Sequence, residues 1–361
     1  MHVRRALSWF GVALVFGLTL EITARVDDWI TYGAPLLGDY SMEELFKSGA
    51  RGYRGVPNAR YMNWRLDSQG FRGPDLQPDR GQIRVVAYGA SETFGVYEDD
   101  GREYPRELER ELNERSAPGR FEVVNAGMPG MRVGSGIAFL YDIGAAIHPR
   151  VVVIYPTPTH YIGVSRPYCG APVRMPARGG FSLPELRIIA KAKDRLKEAL
   201  PRTALTVMRQ VGIELSVRGE RVIEHVEEGS LRAFDTDLEC AVKAVRDIGA
   251  IPILATHTSR FGLVHRPDDD YWLTGWRLQY PEMKQGGFID LEARANAQIR
   301  AVARHDDVKL VDVDAAMSGH TEYFADHAHF TNAGAQRIAA LLTDAVLDVL
   351  PDAVHPAAGG S

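Results

Sequence analysis

The chain has 361 residues, 45% hydrophobic and 25% charged, with a formal net charge of −5. That is ordinary globular composition, enough for one large domain with additions or for two, and its mild acidity speaks against a nucleic-acid partner. The two cysteines, Cys169 and Cys240, have no metal-type spacing; in an exported compartment they can pair, and otherwise they are two small buried side chains.

Arg4 and Arg5 precede Ala6–Leu20, ALSWFGVALVFGLTL, an uncharged and mostly apolar run that Glu21 ends and Ile22–Val26 extends weakly. A basic start before a hydrophobic stretch reads as a signal anchor over residues 1–26. The run is short of the ~20 residues a full span needs, a gap that tilt and local thinning can close. No small-x-small cleavage site comes directly after it, so the anchor is expected to stay. Arginines held inside would place everything after residue 26 outside the cytoplasm, as a single pass through an inner membrane with a periplasmic body. No polar face is visible in the run, which argues against a buried N-terminal helix.

Residues 27–80 are rich in Gly, Pro, Tyr and Arg and have little periodicity. They read as a pre-domain segment packed on the edge of the main domain, which begins near residue 81. Within them Asn63–Gly73, NWRLDSQGFRG, reads as strand, turn and exit. Arg65 and Arg72 could reach an anionic ligand, or stand solvated beside Asp67 and Asp75. Then comes Gln82–Gly95, QIRVVAYGASETFG, a β-branched apolar strand that stops at Gly89-Ala90-Ser91. A serine just past a parallel strand stands on the rim where α/β sheets place ligands, though many such serines only cap helices.

From there strands and helices alternate: helix 104–114, strand 121–125, helix 133–147, strand 151–155, helix 231–248, strand 251–255, helix 291–304, strand 308–313 and a last helix to 350. Alternation of this kind predicts a parallel sheet with helices on both faces. Residues 165–230 form an insertion: a loop over 165–180, then helices 184–200 and 204–215 broken at Pro201. It is a docked hairpin, a lid over Ser91, or a surface that rests on the membrane. A loop over 266–288 carries Tyr271, Trp272, Trp276 and Tyr280, which either stack on a sugar or acyl chain or pin the loop down. The tail 351–361 reads as disordered.

Near the end stands Phe324-Ala325-Asp326-His327-Ala328-His329-Phe330-Thr331-Asn332-Ala333-Gly334. A tight turn can put Asp326 and His329 on one side, so that the carboxylate fixes one ring nitrogen and leaves the other free as a base. Thr331 or Asn332 can cap the next helix. This D-x-x-H block, the strand-end G-x-S, and Asn125-Ala126-Gly127-Met128-Pro129-Gly130 after a strand together resemble the SGNH/GDSL hydrolase family over roughly residues 81–350. The stretch Asp67-Ser68-Gln69-Gly70-Phe71-Arg72-Gly73 before the serine is similar to an Asn-x-x-Gly-Phe-Arg-Gly segment of membrane-anchored bacterial members, with Asp67 in place of the asparagine. The resemblance implies a flavodoxin-like three-layer α/β/α sandwich, Ser91 as nucleophile, His329 as base, Asp326 as its orienter, and backbone N–H groups of Ser91 and Gly130 for the oxyanion. It implies no cofactor.

Two departures stand out. Ala90 replaces the usual aspartate of the first block, which is not a triad member. The third block lacks its asparagine oxyanion donor: strand 151–155 runs into Pro156-Thr157-Pro158-Thr159-His160. A missing donor of that kind lowers turnover about 100- to 1000-fold unless Thr157, Thr159 or His160 substitutes. The expected activity is hydrolysis of an acyl ester on a glycan or lipid. The alternatives are an O-acyltransferase using the same triad and a degenerate glycan- or partner-binding protein. A metal site built on Asp326, His327, His329 and His320 lacks an evident closed ligand set.

Overall fold

The computed structural model describes residues 2–38, 40–49, 52–169, 186–218, 222–262 and 265–354. The expected helix start at Pro184, residues 170–180 of the expected 165–180 loop, and the tail from 355 lie outside them.

Helix α1 (His2–Tyr32) is continuous and runs past the expected boundary at residue 26. It continues because Asp27 and Asp28 meet Lys191 at 2.8 and 2.7 Å, so the segment after the apolar run has partners. Two small antiparallel pairs come next: β1 (Phe46–Gly49) with β2 (Gly52–Gly55), and β3 (Arg60–Tyr61) with β4 (Trp64–Arg65). Leu66 and Phe71 bury themselves in the core, and Arg72 bridges to Asn125.

The central sheet consists of β5 (Ile83–Gly89), β6 (Phe121–Asn125), β7 (Val151–Tyr155), β8 (Ile251–Ala255) and β9 (Lys309–Val311). All pairs are parallel and the order is β6-β5-β7-β8-β9. This is the flavodoxin-like order, in which the chain turns to opposite sides after its first sheet strand and opens a crevice at that strand's carboxyl end. Bare β-branched runs suit strands covered on both faces. Alternate β5 residues serve the two faces: Val86 and Tyr88 join one core layer, Val85 and Ala87 the other.

In chain order the sheet is joined by α2 (Ser91–Phe94), α3 (Tyr104–Arg115) and α4 (Ile137–Ile147). The insertion gives α5 (Arg187–Ala199) and α6 (Arg202–Ser216), separated at Pro201 as its ring geometry requires. Then come α7 (Glu228–Asp247), α8 (Asp269–Arg277), α9 (Gln285–His305), α10 (Val313–Met317) and α11 (Asn332–Val349). Leu108 and Leu112 of α3 share one face with Ile338, Leu342 and Val346 of α11. Leu140 of α4, Leu238 of α7 and Ile299 of α9 cover the other. The architecture is therefore a three-layer α/β/α sandwich. Cys169 and Cys240 form a disulfide that ties the start of the insertion to α7.

Three expectations need correction. The stretch 266–288 is not a loop: α8 fills much of it and α9 begins at Gln285. Asp269 and Asp270 favour the first turn of α8, and Leu273 and Trp276 bury its inner face. Arg72 is neither solvated nor placed for a ligand: it is only 2% exposed and donates to the carbonyls of Phe94 and Gly95 at the end of α2. Residues Pro351–Val354 form a short helical turn where a disordered tail was expected to begin.

Gly127 lies where a side chain would overlap the backbone of Phe94. Gly127→Ala should push α2 off the sheet edge and lower unfolding free energy by about 1–3 kcal/mol, read from urea denaturation of the full chain in detergent.

Candidate active site

Ser91 opens α2 directly after β5, so its side chain stands at the crevice between β6 and β7. Gly95, at φ +82°, ends the helix after one turn. The first N–H groups of a helix have no intrahelical acceptor, which leaves that of Ser91 for another partner. Gly130, at φ +78°, sits in the exposed turn beyond β6, and its N–H has no acceptor among the described residues.

His329 arrives from the other end of the chain. Phe324 and Phe330 bridge across the turn that carries it, and both are buried. Asp326 Oδ1 accepts the N–H groups of Ala328 and His329 at 3.0 and 2.9 Å, which sets the turn. Thr331 caps α11 by accepting from Gly334 at 3.2 Å, while Asn332 turns to Asp99. The result joins three side chains. His329 Nδ1 donates to Asp326 Oδ2 at 2.8 Å, and Ser91 Oγ donates to His329 Nε2 at 2.9 Å. Burial pushes the His329 ring towards neutrality, but the bond and charge of Asp326 outweigh it and hold its pKa above the ordinary value. Burial works against the Asp326 carboxylate too, yet His329 and His327 keep it well below its usual range. Tyr97, 57% exposed, lies 5.5 Å from the His329 ring at the mouth of the site.

Beneath the serine is a second charged group that the sequence reading missed. Glu92 Oε2 lies 3.3 Å from Ser91 Oγ and accepts from Thr157 Oγ1 at 3.0 Å. Its other oxygen meets His257 Nε2 at 3.2 Å, and His257 Nδ1 meets Glu292 at 2.6 Å. Asn296 grips the His257 backbone on both sides, at 2.8 Å each. Burial alone would discharge this histidine, but the two carboxylates raise its pKa to about 10, so both ring nitrogens donate. Burial also opposes the Glu92 charge, and His257 reverses that effect. The available signals were slight: a glutamate directly after the serine, and a histidine two residues past β8.

The residues offered as replacements for the missing oxyanion donor are engaged. Thr157 donates to Glu92, and the Thr159 hydroxyl bonds Tyr280. His160 Nδ1 lies 2.9 Å from the carbonyl of Met131, and a carbonyl only accepts, so that nitrogen carries the proton. Burial lowers the His160 pKa, and in the neutral ring its Nε2 accepts rather than donates. Asp326, His327 and His329 each bring a ligand atom within 4.8 Å of the others, the grouping a metal reading had in view. Asp326 and His329 are instead bonded to each other, and the His327 ring stacks on Trp276 at 4.6 Å. Trp276, 1% exposed, therefore serves the core.

No family model matches the chain, and no curated protein matches it. Among solved structures it is similar to an acetyl xylan esterase at 13% identity, covering 73% of this chain and all of that one with a TM-score of 0.43. A lipase/acylhydrolase from Enterococcus faecalis is 15% identical, over 74% of this chain and 97% of its own, with a TM-score of 0.44. A GDSL-like lipase from Bacteroides thetaiotaomicron is 14% identical, over 76% and 92%, with a TM-score of 0.41. These likenesses are distant, and the chemistry of the site rests on the side chains of this chain alone.

His257→Ala would leave Glu92 and Glu292 buried without their cation. It should cost about 3–5 kcal/mol of stability, visible as a lowered urea midpoint for the full chain in detergent.

Proposed function

We propose that the protein is a serine esterase of SGNH type. The observation that carries this reading is the bonded series Ser91–His329–Asp326, at 2.9 and 2.8 Å. A serine hydroxyl is a weak nucleophile until a base takes its proton. His329 Nε2 receives that proton as Ser91 Oγ attacks the ester carbonyl. Asp326 keeps the ring in the tautomer that can accept it and steadies the imidazolium. The N–H groups of Ser91 and Gly130 hold the oxyanion. The imidazolium then returns its proton to the departing alkoxide, and water repeats the sequence on the acyl-serine. A sugar hydroxyl in place of water makes the same site an O-acyltransferase.

With the third-block donor absent and Thr157, Thr159 and His160 engaged, turnover is expected at the low end for such a site. We place the protein in the inner membrane by α1, whose Ser8–Tyr32 stretch is long and apolar enough to cross it. The body then faces the periplasm, and O-acyl groups on envelope glycans are the first substrate class to try, followed by lipid esters.

A fluorophosphonate should label the full chain in detergent, and Ser91→Ala should abolish labelling while leaving the circular dichroism spectrum unchanged. Wild-type labelling of that variant would remove Ser91 from the site, and an unlabelled but folded wild type would favour the binding role. The base must be neutral to act, so activity should fall with acid along a limb centred above pH 6.5, since Asp326 raises the His329 pKa above that value. Asp326→Asn should move the limb down and cut turnover by roughly 10⁴-fold.

A further inference from the structure

Helix α1 presents two different stripes over its last three turns. Glu21, Arg25 and Asp28 fall at helical spacing on one stripe, and all three are engaged. Arg25 pairs with Glu21 at 2.7 Å, Ile188 N–H donates to Glu21 Oε2 at 3.1 Å, and Lys191 reaches Asp28 at 2.7 Å. The carboxylate of α1 therefore caps the first turn of α5, where unpaired N–H groups favour negative charge. The loop after α1 is drawn in as well: Arg187 donates to the Pro35 carbonyl at 2.6 Å and Arg25 to that of Leu36 at 3.0 Å.

The other stripe has no partner among the described residues. Ile22, Trp29 and Ile30 of α1 are exposed, and so are Leu37, at 85%, and Leu186 and Ile189 beside the first turn of α5. The contacts just given hold these three elements side by side, so their exposed apolar side chains lie on neighbouring elements at the end of the exposed apolar run from Trp9 to Leu20.

We infer that this patch is covered by the lipid bilayer: the start of α5 and the 35–37 loop rest in the outer interfacial zone beside α1. The inference rests on the reading of α1 as a membrane anchor. Length favours lipid over a second protein surface. The uncharged run alone spans only about 22 Å, against a hydrocarbon core of ~30 Å. Carried on to Ile30 along the apolar stripe, the same run spans about 37 Å, enough to cross with some tilt, and brings Trp29 to the headgroup level where tryptophans gather. Of the charges in this extension, Glu21, Arg25 and Asp28 lie on the inner stripe, and Asp27, exposed to one side of it, is paired with Lys191 of α5 at 2.8 Å.

The test uses the full chain in phosphatidylethanolamine–phosphatidylglycerol vesicles, with a fluorophore on one introduced cysteine at a time. The two native cysteines are bonded to each other. Positions are Phe16→Cys in the anchor, Leu37→Cys and Ile189→Cys in the patch, and Gln336→Cys on exposed α11 as reference. Brominated acyl chains report contact with lipid, and iodide reports contact with water. Loss of fluorescence to brominated lipid at 16, 37 and 189 but not at 336 is expected. Quenching by lipid at 16 alone, with 37 and 189 open to iodide, overturns the inference and leaves the anchor standing. Positions 37 and 189 shielded from both quenchers would mean that protein covers the patch, which also overturns it. Absence of lipid quenching at 16 refutes the anchor itself, and the inference with it.

Discussion

The site depends on how closely α2 can approach the ends of three strands. Gly89 of β5 has no room for a side chain against Thr93 and the Tyr155 carbonyl, and Gly127 beyond β6 has none against Phe94. One helical turn is thereby wedged between β6 and β7, with Ser91 at its leading edge. Arg72 holds the far end through the carbonyls of Phe94 and Gly95, and that guanidinium is buried beside Glu103. The serine's position is thus a consequence of backbone contact, with little left to loop conformation.

Charge completes what packing begins. Two carboxylate–imidazole groups converge on Ser91 Oγ: Asp326–His329 from the crevice, and Glu92–His257–Glu292 from below. In the proposed mechanism the outer histidine gains and loses a proton, and against burial Asp326, foremost among its anionic neighbours, holds its pKa above the ordinary value. The inner one sits between two carboxylates and stays charged. The same chemical pair is thus proposed for turnover in one setting and serves architecture in the other, the difference being a carboxylate bonded to one ring nitrogen or to both, and the depth of burial.

Much of the sheet was legible in the sequence because each strand is a short β-branched run with its own punctuation, and its parallel sense followed from alternation, whereas the flavodoxin-like arrangement was implied only by the family resemblance. Ser91, Asp326 and His329 were legible because local features mark each: a strand that stops at Gly89, and a turn that sets Asp326 three residues before His329. Glu92 and His257 were not, since they lie 165 residues apart and nothing local announces their contact. Arg72 misled for a related reason: an arginine among aspartates looks solvated until the strand pairing that buries it is known. In α8 the clustered aromatics hid a helical period, because Tyr271 and Trp272 take arginine partners while Trp276 takes the core.

The cap that α1 gives α5 imposes an order in time. Glu21 and Ile188 are separated by 167 residues, so α1 waits for a partner synthesised much later. At ~5–20 residues per second, that wait is roughly 8–33 s. Throughout it Glu21 has its neighbour Arg25 but not the N–H groups of α5, and its carboxylate stands uncapped. Maturation of the N-terminus is therefore tied to completion of a distant insertion, and a chain stopped short of residue 187 would leave its first helix with an uncovered acidic stripe.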